Sequence, residues 1–145
     1  MRLKRTICAA CILTFGIALV VGILYYSPLA FCKNFIKQMY SITYVNYHQS
    51  ITDQRNLYDD AFRTYVEQNP HDNGAWIVEE KASYHLFTPI KVNFKTFSLT
   101  KPVLQCAFEL LIDNKEGRIF FQGDVAVQIN LIRTGLHSYE VSFLK

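Results

Sequence analysis

The chain is 145 residues long, and its fifteen Lys plus Arg against twelve Asp plus Glu give a net charge of +3. Three of those bases, Arg2, Lys4 and Arg5, crowd the N-terminus, while no acid occurs before Asp53. The remaining bases balance the acids, so there is no basic stripe of the kind a nucleic-acid partner needs, and none is expected.

Residues 6–26 (TICAACILTFGIALVVGILYY) contain no charge, Pro, Asn or Gln. At about 1.5 Å per residue this run makes roughly 30 Å of helix, the thickness of a bilayer's hydrocarbon core. By the positive-inside rule, the upstream bases predict a cytoplasmic tail over 1–5, a transmembrane anchor over 6–26 and an external domain over 27–145, with Tyr25 and Tyr26 at the outer interface. A cleaved signal peptide is the competing reading, but its apolar region is shorter, about 7–15 residues. A cut after Ala30 would also put Pro28 where a small residue belongs, and Phe31 ahead of Cys32 departs from a lipoprotein box. An uncleaved anchor is favoured.

Beyond the anchor, Ile36, Tyr40, Tyr44, Tyr47 and Ile51 recur at helical spacing and predict a helix over 31–56, which β-branched Ile42, Thr43 and Val45 weaken. Asp59 and Asp60 open a second helix carrying Phe62, Tyr65 and Val66, and the turn-forming stretch 69–74 ends it. A third short helix is expected over 76–84. From Pro89 the period changes to two. A strand over 91–100 puts Val92 and Phe94 on one face and Phe97 and Leu99 on the other, a parity switch that implies a bulge. The strand over 103–112 points Leu104, Cys106, Phe108, Leu110 and Ile112 inward. A hairpin turn at 113–117 leads into a strand over 118–133 with Ile119, Phe121, Val125, Val127, Ile129 and Leu131 on its inner face; that length requires a bend, expected at Gly123. Thr134-Gly135 turns into a last strand over 136–144. Helices followed by four antiparallel strands predict an α+β roll.

Four cysteines divide by compartment. Cys8 and Cys11 fall inside the anchor, where their spacing places two small apolar groups on one helix face. Cys32 and Cys106 both lie in the external domain and can close a bridge if that compartment is oxidising; the alternatives are two buried free thiols, or pairing of Cys32 with a second chain. His48, His71, His85 and His137 are scattered without metal-ligand spacing. No phosphate-binding glycine loop or nucleophile elbow occurs, so no catalytic, metal or cofactor residue is expected. Glu109 and Asp124 read as solvated outward carboxylates. Either one turned inward beside a Tyr would instead suit a ligand or proton-transfer pocket.

The segment Tyr44-Val45-Asn46-Tyr47-His48-Gln49, the aromatics Tyr58 and Phe62 around the start of the second helix, and the strands 127–133 and Tyr139-Glu140-Val141-Ser142-Phe143 resemble the DotI/IcmL/TraM family of type IVB secretion and conjugation proteins. Two stretches differ from the family pattern: the second helix opens with Asp59-Asp60-Ala61-Phe62, and the turn before the last strand is reduced to Thr134-Gly135. The resemblance implies a VirB-like, nuclear-transport-factor-like roll of two to three helices on a curved four-stranded antiparallel sheet. It also implies a single-pass bacterial inner-membrane protein whose C-terminal domain lies in the periplasm, and a non-enzymatic role in which that domain self-associates as a homo-oligomer and docks other secretion-system subunits without a cofactor. The candidate interface residues are Tyr44, Tyr47, His137 and Tyr139. Their alternative is core packing for the first two and a half-buried strand face for the others. A soluble, exported ligand-binding or enzymatic domain of the same fold is the second reading.

Overall fold

A computed structural model of the protein describes residues 2–69 and 76–145, with side chains from residue 11 onward. The turn expected over 69–74 falls, apart from Asn69, outside the described residues, as do His71 and the Cys8 side chain.

The first helix, α1 (Arg2–Met39), carries the apolar run straight into the domain. Its character changes along its length. Ile12, Leu13, Phe15 and Ile17 are exposed, whereas Pro28, Cys32, Phe35 and Ile36 are buried. One helix therefore serves both as the apolar segment and as a core element, and among the described residues it is the one helix long and apolar enough to cross a membrane.

The helix expected over 31–56 is broken. It stops at Met39 and resumes as α2 (Tyr47–Arg55). The cause is the β-branched segment between: Thr43 bridges Ser83, the Tyr44 N–H donates to the Ala82 carbonyl at 2.9 Å, and the Tyr84 N–H donates to the Ile42 carbonyl at 2.9 Å. Extended geometry here satisfies backbone groups on a sheet edge, which outweighs a weak helix propensity. Asn46 closes the connector by accepting from the Thr43 N–H at 2.7 Å.

Helix α3 (Asp60–Gln68) begins as expected. Asp59 is its N-cap, accepting from the Phe62 N–H at 2.7 Å, and the Asp59 N–H donates to the Val141 carbonyl at 3.0 Å. The cap thus fixes the helix start on the last strand. Asp59→Ala should cost about 1 kcal/mol, read as a lower urea midpoint at unchanged slope.

The third helix, α4 (Trp76–Glu79), is shorter than expected. Lys81 adopts φ 51°, in the left-handed region, and ends it, so that Ala82 can begin a strand, β1 (Ala82–Leu86), that local sequence did not reveal. There follow β2 (Lys91–Thr96), β3 (Val103–Asn114), β4 (Ile119–Arg133) and β5 (Tyr139–Leu144). All pair antiparallel in the order β1-β3-β4-β5, with β2 also on β3. β1 pairs with residues 110–114 of β3 and β2 with 103–107, so the two share one sheet position. The sheet is four strands wide and curled, the nuclear-transport-factor-like α+β roll.

Three register shifts shape it. Lys95 is the extra residue in β2, as the parity switch required, but the strand ends at Thr96, leaving Phe97 and Leu99 exposed in the following loop. A second shift falls at Phe120. It pairs Ile119 with Asp113 on the outer face and leaves Phe121 partly exposed, while Phe120 packs 5.6 Å from Trp76. The inward assignment is therefore corrected for Ile119 alone; Phe121 pairs with buried Ile112 and keeps the inner face expected of it. The ladder runs in register through Gly123, and the third irregularity falls at Ser142. The hairpin turn is built as expected: Gly117 takes φ 80°, and the Asn114 side chain accepts from the Glu116 and Arg118 N–H groups. Leu104, Cys106, Phe108, Leu110 and Ile112 of β3 are all buried, together with Phe35 and Ile36 of α1.

Candidate interaction site

The four candidate interface residues do not come together. Tyr47 and Tyr139 are core residues, 7% and 4% exposed. Tyr44 is half-buried in the α1–α2 connector, with the Lys115 ammonium 5.1 Å from its ring centroid. His137 is exposed in the β4–β5 loop, because β5 starts at Tyr139 rather than at 136. The outer edge of β5 is also occupied at its centre: the Val141 N–H donates to the Leu57 carbonyl at 2.7 Å, opposite the Asp59 bond. The other sheet edge is covered at β1 by residues 42–44, and β2 carries exposed Lys91 and Lys95, charges that discourage strand addition.

Arg133, at the end of β4, was not singled out from sequence. Its guanidinium donates from Nε to the Leu99 carbonyl at 2.6 Å, from Nη1 to the Leu136 carbonyl at 2.8 Å and from Nη2 to the Leu24 carbonyl at 3.1 Å. It also lies 4.8 Å from the Tyr139 ring, whose hydroxyl is hydrogen-bonded to Ser27 Oγ. One side chain ties two loops and a strand to α1. Arg133→Met should cost about 2–4 kcal/mol, since it leaves three carbonyls without their charged donor. Lysine should recover little, because a single ammonium cannot reproduce the planar fork. Chemical unfolding in detergent micelles reads both.

Cys32 and Cys106 meet in the core. Both are fully buried free thiols, one on α1 and one on β3, and they are hydrogen-bonded to each other. That bond favours thiolate at Cys106 and draws its pKa below the ordinary thiol value, against the opposing effect of burial.

A cleft of about 180 Å³ opens between α1, α2 and β1, with Tyr40, Tyr58, Tyr84, Gln54 and Arg55 among its lining. Among the described residues, no carboxylate or histidine lines it. Glu109 and Asp124 instead pair with each other across β3 and β4, on the face opposite the core. The arrangement that a proton-transfer pocket would need is thus not formed by these carboxylates. Among the described residues, no cluster of three or more His, Cys, Asp or Glu could hold a metal ion.

Solved structures with this architecture include a periplasmic fragment of TraM, which matches over 81% of this chain and 93% of its own at TM-score 0.59 and 12% identity. The periplasmic domain of DotI matches over 81% and 90%, at TM-score 0.54 and 12% identity. CagV of Helicobacter pylori, a VirB8 homologue of a type IV secretion system, matches over 80% and 92%, at TM-score 0.55 and 13% identity. The chain has their fold. No family model and no curated protein matches its sequence.

In this TraM-like fold the tyrosines of the cleft act as core edges. Burial pushes Tyr40 up to about 12 and raises Tyr58 and Tyr84 as well, so all three stay protonated at neutral pH. The unfolded chain ionises its tyrosines near 10, below the folded value, so the folded state binds more protons between the two. Stability should hold up to about pH 10 and then fall as pH rises toward 12, by about 2 kcal/mol for Tyr40 alone. Urea midpoints alongside tyrosinate absorbance would show both changes in the same window.

Proposed function

We propose that the protein is a non-enzymatic, single-pass inner-membrane subunit, or a paralogue of one, of a type IV secretion or conjugation system. Residues 1–5 lie in the cytoplasm, 6–26 cross the bilayer and 27–145 fold in the periplasm, where the domain self-associates and docks other subunits. The observation that carries this reading is a fold shared with TraM, DotI and CagV over most of both chains, joined without interruption to a membrane-competent helix. Tyr44 and His137 are the candidate contacts accessible at the surface. In that oxidising compartment Cys32 and Cys106 close a bridge. The Cys106 thiolate attacks the disulfide of a thiol–disulfide exchange oxidant, and Cys32 then displaces it, so two protons and two electrons leave as the oxidant is reduced to its dithiol. Because both sulfurs are buried in the fold, this exchange precedes docking of α1 on the sheet.

Fractionation of the native host, with mass determination of the N-terminus and amine-reactive crosslinking, tests the assignment. Recovery in the inner membrane with residues 1–26 intact, and crosslinked oligomers or adducts with secretion subunits, is expected. Recovery as a monomeric soluble protein beginning near Phe31 would sink it in favour of a soluble binding module.

A further inference from the structure

Arg133 does more than brace the fold: it sets the height of two loops on α1. Its three bonds hold the β2–β3 loop at Leu99, the β4–β5 loop at Leu136 and the helix at Leu24 around a single guanidinium only a few ångström across. Leu24 stands at the end of the apolar run, and residues 6–24 make about 28 Å of helix, close to the hydrocarbon thickness of a bilayer. No linker intervenes, because α1 continues unbroken to Met39 and is buried in the domain from Pro28. Whatever lies level with Leu24 lies at the membrane surface. What lies there is apolar: Phe97 is 53% exposed, Leu99 52% and Leu136 55%. Tyr25 of the helix extends the patch, its ring 6.1 Å from that of Phe97, and Lys101 is exposed on the same loop as Leu99.

We propose that Phe97, Leu99 and Leu136 form a collar that enters the interfacial layer of the outer leaflet, seating the domain directly on the bilayer. The occupant of this apolar surface is lipid, because the surface is continuous with the exposed side of α1 and is held at the helix's exit point. Lys101 meets the phosphate groups above it. This rests on the reading of 6–26 as a membrane anchor. The consequence is functional: a domain seated this way has a fixed tilt and height, so partners meet its far side, where Val45 is exposed in the connector beyond the other end of α1, at a set distance from the membrane.

The test places tryptophan at one site at a time in a Trp76→Phe background of the full chain, reconstituted in phosphatidylethanolamine–phosphatidylglycerol vesicles with brominated acyl chains. The sites are Phe97→Trp, Leu136→Trp, Ile17→Trp as the reporter for the anchor, and Val45→Trp as the distant control. Phe97→Trp and Leu136→Trp should be quenched at least threefold more than Val45→Trp, and less than Ile17→Trp. If Ile17→Trp is quenched while both loop sites behave like Val45→Trp, the domain stands off the membrane and the collar is wrong, with the anchor intact. If Ile17→Trp is unquenched, the anchor reading and the collar fall together.

Discussion

The full-length protein purified under oxidising conditions is expected to unfold at higher denaturant than the same protein under reductant, by about 4 kcal/mol. The expectation comes from the separation of Cys32 and Cys106 in sequence and their contact in space. A bridge between them closes a loop containing α2, α3, α4, β1 and β2, and long loops remove most entropy from the unfolded chain. The bridge also joins α1 to β3, the strand at the centre of the core. Cys106→Ala should abolish the dependence on reductant and leave a small cavity cost. Changing Cys8 and Cys11 to serine should leave the dependence intact. Maleimide labelling after denaturation without reductant reads the bond directly: if Cys32 and Cys106 are both labelled in protein purified under oxidising conditions, the bridge is absent.

Phe35→Ala should be the most damaging single truncation in α1, at about 3–5 kcal/mol. Phe35 is 1% exposed and lies against Phe31 and Tyr58, with ring centroids 6.3 Å away in each case. It is where the long apolar helix is keyed to the helices and sheet of the domain. Without that ring, residues 28–39 lose their grip on the sheet and the 40–46 connector is freed. Urea unfolding in micelles and limited proteolysis in the connector should both report it. Phe35→Leu should restore most of the loss, whereas Lys33→Ala, on the exposed side of the same helix, should fall within about 0.5 kcal/mol of the parent. Equal effects at 33 and 35 would mean that α1 does not dock as described.

Where one face of an element is buried, its character was legible in the residues. The alternation of β3 gave its inner face because core and solvent impose period two, and Asp59 announced α3 because a carboxylate satisfies orphan N–H groups. The errors are equally physical. Helical spacing from Ile36 to Ile51 overran the break at 40–46, because the extended connector is stabilised by β1, distant in sequence. The first half of β1, residues 82–84, was read as the end of a helix, since its pairing partner, residues 110–114, carries the information that makes it a strand. The bulge at Phe120 shifted the phase of β4, which no count of apolar residues discloses. At the candidate site, Tyr47 and Tyr139 combine apolar area with a hydroxyl, a composition that suits a core edge and an interface alike, and only burial separates the two.

The sequence by itself determined a charge-free run long enough to span a bilayer, the orientation rule that goes with Arg2, Lys4 and Arg5, and an α+β order of elements, because hydrophobic length and periodicity are local properties. The tertiary structure alone decided which long-range partners each local preference would serve. It joined the apolar run to the core as one helix, brought Cys32 against Cys106, and gathered Leu24, Leu99 and Leu136 on Arg133. These juxtapositions arise when buried backbone and polar groups find partners across the whole chain, a requirement that no single stretch of residues can state.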